Sequence, residues 1–221
     1  MNYDCLKIQE KYDGQVTEIL MGPPPANIVS LKLMEEVLDC LKELKENPNK
    51  KLITFSGEGK RFSFGASVEE HLPGVVNDMI PKFHHFIGEI LACEIPTLAK
   101  VSGLCLGGGF EMALACTFLF ANENAKFAIP EIQLGVFPPV ASVLLPFKGG
   151  DVFSSEMILT GETFGAHKLL ERGILNTVEE EGALDTSIST FIEKMILPKS
   201  ASSLRLACRA ARMTLLSTYK Q

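Results

Sequence analysis

Between Ser102 and Ala121 the chain runs for twenty residues with a single charge, Glu111. A stretch of that length and polarity either spans a bilayer or forms the buried centre of a fold. Its internal order decides between the two. Gly107-Gly108-Gly109 interrupts it, a carboxylate sits in its middle, and Phe118-Leu119-Phe120 follows Thr117 as a new apolar segment, so a buried turn–helix–strand is expected. Three glycines in a row let the backbone turn tightly and approach a ligand, because no Cβ stands in the way. Glu111–Cys116 reads as the start of a helix, so amides near Gly108 and Gly109 gather at a helix N-terminus that favours negative charge. Further on, Glu131 follows Pro130 in an apolar setting. Two carboxylates beside a backbone anion hole suit proton transfer on a carbonyl compound. Taken alone, however, the pattern reads first as a packing turn with two solvated glutamates.

The 221 residues fit one domain with a sizeable core. The expected division is a core over 1–180 and a helical region over 181–221. A net charge of −6 argues against a general nucleic-acid or membrane-surface binder. Cys5, Cys40, Cys93, Cys105, Cys116 and Cys208 are widely spaced and form no CxxC pair, and the four histidines lack zinc spacing. They read as thiols in a reducing compartment, with no metal site. The polar Met1-Asn2-Tyr3-Asp4 does not resemble a signal peptide, and a soluble cytoplasmic protein is expected.

Leu6–Gln9 and Gln15–Met21 alternate like strands, joined at the turn signal Asp13-Gly14. Ser30 can cap a helix over Leu31–Lys45, whose Leu31, Met34, Leu38, Leu41 and Leu44 share a face. The pattern then predicts strands at Leu52–Ser56, Thr97–Val101, Phe118–Ala121, Lys126–Ala128 and Ile174–Val178. Helices are predicted over Val75–Cys93, Pro139–Leu145, Val152–Thr160, Gly165–Glu171, Ala183–Met195 and Ser200–Ser217. The order implies an α/β layered core that ends in helices.

Phe62-Ser63-Phe64-Gly65-Ala66-Ser67, then Gly107-Gly108-Gly109-Phe110-Glu111, then Pro130-Glu131-Ile132-Gln133-Leu134-Gly135 together resemble the crotonase (enoyl-CoA hydratase/isomerase) superfamily. The resemblance implies a crotonase-like spiral of ββα units (the ClpP/crotonase fold) with a C-terminal helical region, assembled as trimers or dimers of trimers. It implies an acyl-CoA thioester substrate and no separate cofactor. The oxyanion-hole amides map to Ala66 and Gly108, and the two glutamates of the family's hydratases map to Glu111 and Glu131. Backbone amides aimed at a developing enolate lower its barrier, each by roughly 3–4 kcal/mol. Two buried carboxylates close together do not both ionise easily, which separates acid from base. The plain alternatives are a helix-terminus carboxylate for Glu111 and a salt-bridge partner for Glu131.

Three departures from the common pattern stand out. Ser67 replaces an aspartate, Val136-Phe137-Pro138-Pro139-Val140 replaces a glycine-rich turn, and Pro25 precedes Ala26-Asn27 where a lysine is usual. The stretch from Phe62 to Pro73, with Gly135-Val136-Phe137-Pro138, resembles the branch that hydrates cyclohexa-1,5-diene-1-carbonyl-CoA in anaerobic breakdown of aromatic acids. That resemblance implies a 1,4-addition of water to give 6-hydroxycyclohex-1-ene-1-carbonyl-CoA. Candidate pocket walls are Phe64, Ser67, His71, Phe137, Pro138 and Val140; the aromatics also read as ordinary core, and His71 as structural. Ala26, Lys60 and Arg61 are candidate CoA contacts, with a solvated loop pair as the alternative for the two cations. A straight-chain 2-enoyl-CoA hydratase and a weakly catalytic CoA-binding protein on the same fold are the other functions considered.

Overall fold

The computed structural model describes residues 3–67, 69–72, 74 and 76–220, with the His71 side chain also outside the description. Strands β1 (Leu6–Lys11) and β2 (Val16–Met21) form an antiparallel hairpin in register from Leu6↔Met21 to Lys11↔Val16. Its turn places Tyr12, Asp13 and Gly14 at positive φ, a conformation that asparagine, aspartate and glycine tolerate best. From β2 onward the main sheet is parallel: β3 (Leu52–Gly57), β4 (Thr97–Val101), β6 (Phe118–Asn122) and β9 (Thr177–Glu179) add in turn, giving the order β1-β2-β3-β4-β6-β9. A second sheet, β5-β7-β8, joins Leu104–Leu106, Lys126–Ala128 and Phe164–Gly165.

The main sheet is covered on both faces, as parallel sheets are. Ile19, Met21, Ile53, Phe55, Ala99 and Val101 point into the larger core with α1 (Leu31–Glu46) and α2 (Val76–Leu91). Their neighbours in the alternation, Val16, Leu52, Leu98 and Phe120, pack on Leu184 and Ile188 of α7 (Leu184–Phe191) and on Ile192 and Ile196 beyond it. Helix α3 (Gly107–Ala115) packs on β5 and β7, α4 (Pro139–Gly149) on α3 and on α5 (Asp151–Thr160), α6 (Ala166–Glu171) on β8 and β9, and α8 (Ala201–Tyr219) on α2 and α4. Two passes show the repeat: β4-β5-α3, then β6-β7 and a 3-10 turn at Pro130–Leu134 into α4. No helix among the described residues is long and apolar enough to cross a membrane.

Ser30 caps α1 as expected, accepting from Leu33 N at 3.3 Å. Several boundaries differ from the sequence pattern. The helix expected at Glu111 begins four residues earlier, because the first-turn amides need no i−4 acceptor and glycine suits the close contacts there. Helix α4 continues past Leu145 through Pro146 to Gly149. The helix expected to run to Met195 ends at Phe191 and passes into a wider π-turn over Ile192–Ile196. The strand expected at Ile174–Val178 starts at Thr177: the amides of Ile174 and Leu175 both donate to Leu169 O, closing α6, and are not available to a ladder. Helix α2 is described from Val76; its expected first residue, Val75, lies outside the described residues.

Candidate active site

The centre of the site is the N-terminal turn of α3. Gly107 has φ +47, and a Cβ built on it would stand 2.8 Å from Glu131 Oε1. The Glu131 carboxylate therefore lies directly over the start of α3. A Cβ on Gly108 would stand 3.2 Å from Ala66 N and 3.1 Å from Ala66 Cβ. Ala66 and Gly108 are thus brought face to face, with the Gly108 amide in the first helical turn, where it has no intrahelical acceptor. Gly109 is as tightly held: a Cβ there would collide with Ser63 at 2.5 Å.

The segment carrying Ala66 is fixed from three sides. Val29 N donates to Gly65 O at 2.9 Å, Leu106 N to Ser63 O at 3.0 Å, and Phe64 N to Ala26 O at 2.9 Å. The loop beyond it is tied back as well. Glu70 accepts from Leu31 N at 3.0 Å, filling the N-terminus of α1, and donates its own amide to Ser67 Oγ at 3.3 Å. Ser67 is accordingly a turn-forming residue at the edge of the site.

Glu111 projects from the second turn of α3 and is 3% exposed. Its Oε1 accepts from Ala141 N at 2.7 Å. Ala141 and Val140 lie in the first turn of α4, so Glu111 is held at the N-terminus of a helix other than its own. Burial pushes the Glu111 carboxyl up to about 8, with the nearby Glu131 charge adding to the rise; the Ala141 and Val140 amides act against it. At neutral pH Glu111 therefore carries a proton. Glu131 is half-buried as a residue, with Oε2 enclosed and Oε1 at the N-terminal turn of α3. Tyr219, near the end of α8, donates to His84 O at 3.0 Å, and burial, followed by the Glu111 charge, raises its phenol.

The remaining expected residues divide. Val140 is fully buried and Pro138 is buried beside it, at the entry to α4. Phe64 is partly exposed, with the Arg61 guanidinium 5.0 Å above its ring. Phe137 is 66% exposed, which places it at a rim or an outer surface, not inside an enclosed wall. Ala26 contacts the Ala66 segment through its carbonyl, whereas Lys60 is an exposed loop residue. Arg61 also lines a cavity of about 250 Å³ with Ser56, Lys100, Ser102 and Asp185. That cavity is on the α7 side of the sheet, since Ser56 and Lys100 alternate with the core-facing Phe55, Ala99 and Val101. The His71 side chain lies outside the described residues. Among those residues, no group of three His, Cys, Asp or Glu side chains is arranged to hold a metal ion.

The α4 amides on Glu111 were not anticipated. A signal for them exists, because Pro138-Pro139 marks a helix start and proline at the first helical position is common.

Comparison with known proteins points to one family. The enoyl-CoA hydratase/isomerase family pattern matches residues 11–219. A cyclohexa-1,5-dienecarbonyl-CoA hydratase from Thauera aromatica is 35% identical over 98% of this chain and 83% of its own length. A carnitinyl-CoA dehydratase from Escherichia coli K12 is 30% identical over 83% of this chain and 72% of its own. Among solved structures, Pseudomonas aeruginosa DspI aligns with a TM-score of 0.90 at 23% identity, covering 99% of this chain and 86% of that one. An enoyl-CoA hydratase/isomerase from Xanthobacter autotrophicus Py2 aligns at 0.89 and 25% identity, covering 98% and 82%. With the crotonase fold and a family match over nearly its whole length, the chain belongs to the enoyl-CoA hydratase/isomerase family.

Proposed function

We propose that the protein is a hydro-lyase that adds water to a cyclic conjugated dienoyl-CoA thioester, cyclohexa-1,5-diene-1-carbonyl-CoA, by 1,4-addition. The observation that carries this is two carboxylates on and beside helix α3, which also presents Gly108 to Ala66: Glu111, buried on the Ala141 amide with its carboxyl pushed up by burial, and Glu131, whose Oε1 lies at Gly107. The Thauera relative supports the choice of acyl group.

In this scheme the thioester oxygen accepts from Ala66 N and Gly108 N. A water sits between the carboxylates. Glu131 takes one proton from it as the hydroxide bonds to the β-carbon. The electron pair of the broken double bond moves through the α-carbon to the thioester oxygen, where the two amides stabilise the dienolate. Collapse of the dienolate takes the Glu111 proton at the far end of the diene, leaving one ring double bond and the 6-hydroxy product. Transfer of the Glu131 proton to Glu111 restores the starting state, and no cofactor enters the balance. The protonation of Glu111 by burial is what lets one glutamate give while the other takes.

The same proposal makes the enzyme a homo-oligomer. Leu134, Val136 and Phe137, all exposed, continue directly from the Glu131 turn as an apolar edge that a second copy would cover, and sedimentation velocity tests it.

The deciding experiment is turnover of the cyclic dienoyl-CoA beside crotonyl-CoA in deuterated water. Hydration of the diene, with deuterium at the remote ring carbon and little crotonyl-CoA turnover, is the expected result. Fast crotonyl-CoA hydration with label at the α-carbon would make it a straight-chain hydratase. Thioester binding without turnover of either would make it a CoA-binding protein. Glu131→Gln is expected to abolish turnover.

A further inference from the structure

Helix α4 touches α3 at two hydrogen-bonded points. At its start, Ala141 N donates to Glu111 Oε1 at 2.7 Å. Near its end, Lys148 Nζ donates to Cys116 O at 3.1 Å, one residue past the end of α3. The anchors are seven residues apart on α4, about 10 Å along the axis at helical rise. Between them Leu144 and Leu145 are buried in the core. The carbonyl before Cys116 is taken too: Arg212 of α8 donates to Ala115 O, and to Ile90 O at 3.4 Å. Two cations thus close the negative end of the helix whose positive end forms the anion hole.

Lys148 has no acidic partner within ion-pair distance among the described residues. An ammonium held by a backbone carbonyl, beside a guanidinium that repels it, is a costly way to fill space that methionine would fill. Burial, followed by that Arg212 charge, lowers Lys148 to about 8.

We infer that Lys148 is a positioning residue for Glu111: by tying the end of α4 to the end of α3, it keeps the α4 N-terminal amides seated on the Glu111 carboxylate. The inference rests on the acid role proposed for Glu111, but its readout does not need turnover. The groups facing Glu111 are Glu131 from the 3-10 turn, Tyr219 from α8, and the Val140 and Ala141 amides from α4. Those facing Lys148 are Arg212 from α8 and the Cys116 thiol. Lys148 is not among the charges that act on Glu111, so its influence passes through α4. The α4 amides favour the charged carboxylate; loosening them raises the pH at which Glu111 loses its proton.

The test is a carbon-13 NMR titration of the glutamate carboxyls in the full chain, with the Glu111 signal assigned by its loss in Glu111→Gln. In Lys148→Met the Glu111 midpoint is expected to move up by roughly half a pH unit or more. Lys148→Arg, which keeps a donor, is expected to restore it. Lys50→Met, which removes a remote buried lysine, is the control for general destabilisation and is expected to leave the midpoint in place. An unchanged midpoint in folded Lys148→Met overturns the inference. If that variant does not fold, Lys148→Gln, too short to reach Cys116 O, decides it in the same way. Failure of the proposed function looks different: a wild-type protein inactive on both thioesters, with the midpoint still moved by Lys148→Met.

Discussion

Replacing Glu111 by glutamine should make the protein more stable, and increasingly so as the pH rises. The carboxyl is 3% exposed, and burial pushes it from the ordinary 4.5 to about 8. The unfolded chain has released this proton by about pH 5, whereas the folded chain keeps it until about pH 8. Between those values the folded state binds the extra proton, so wild-type stability falls by about 1.4 kcal/mol per pH unit from this group alone. By pH 8 the loss amounts to about 3–5 kcal/mol. Glutamine has nearly the same shape, still offers an oxygen to Ala141 N, and does not titrate. Urea unfolding followed by circular dichroism at pH 5, 6, 7 and 8 gives the difference directly. The two proteins are expected to differ little at pH 5 and to diverge steadily above it, with Glu111→Gln the more stable. Other groups that titrate nearby, Lys148 among them, are present in both and cancel. Unfolding curves that stay parallel across this range would refute the idea that Glu111 is protonated in the folded protein, and with it the assignment of Glu111 as the acid.

Gly108→Ala puts a methyl group 3.2 Å from Ala66 N, inside the anion hole, and should lower kcat by about 10²-fold or more with a smaller change in thioester binding, measured by steady-state kinetics and calorimetry. Gly107→Ala meets both a positive φ and Glu131 Oε1 at 2.8 Å; a lower Tm together with lost turnover is expected. Lys50, 1% exposed, donates to Glu10 Oε2 at 2.6 Å and Gly14 O at 2.7 Å, so Lys50→Ala should cost about 2–3 kcal/mol in urea unfolding while kcat is retained by the folded fraction. Glu70→Ala leaves the Leu31 amide at the N-terminus of α1 without its acceptor, a loss of about 1 kcal/mol by the same measurement.

The elements that could be read from the chain are those whose signal is local. Asp13-Gly14 turns the first hairpin, and Ser30 caps α1, because each acts within three or four residues of itself. The pattern does not show strand β5: Leu104-Cys105-Leu106 is three residues long and is a strand only because it pairs in parallel with Lys126–Ala128, 22 residues on. The misplaced start of β9 has the same origin. Ile174 and Leu175 have the composition of a strand and are buried like one, yet the close of α6 uses their amides first. Spacing finds Met34, Leu41 and Leu44 of the buried α1 face but puts Leu31 and Leu38, only partly buried, where Leu33, Val37 and Cys40 are enclosed, and the end of α7 depends on how Ile192 and Ile196 meet the sheet.

At the site, identity was legible and environment was not. Ala66, Gly108, Glu111 and Glu131 stand out through motifs, and the fold brings them together because Gly107–Gly109 admits Glu131, Ala66 and Ser63 where side chains would otherwise be. Which carboxylate holds the proton is a different kind of fact. It depends on how completely the fold buries Glu111 and on Ala141 N, thirty residues away, whose hydrogen bond acts against that burial. Both are properties of how α4 sits on α3. No spacing within one helix encodes that, since the contact runs from the middle of α3 to the start of α4 and again from the end of α3 to Lys148. Two sequences sharing every motif residue could therefore divide acid and base differently if their α4 helices docked differently. The residues to compare between members of this family are then not only the glutamates, but those at the far end of α4 that decide where its first turn lies.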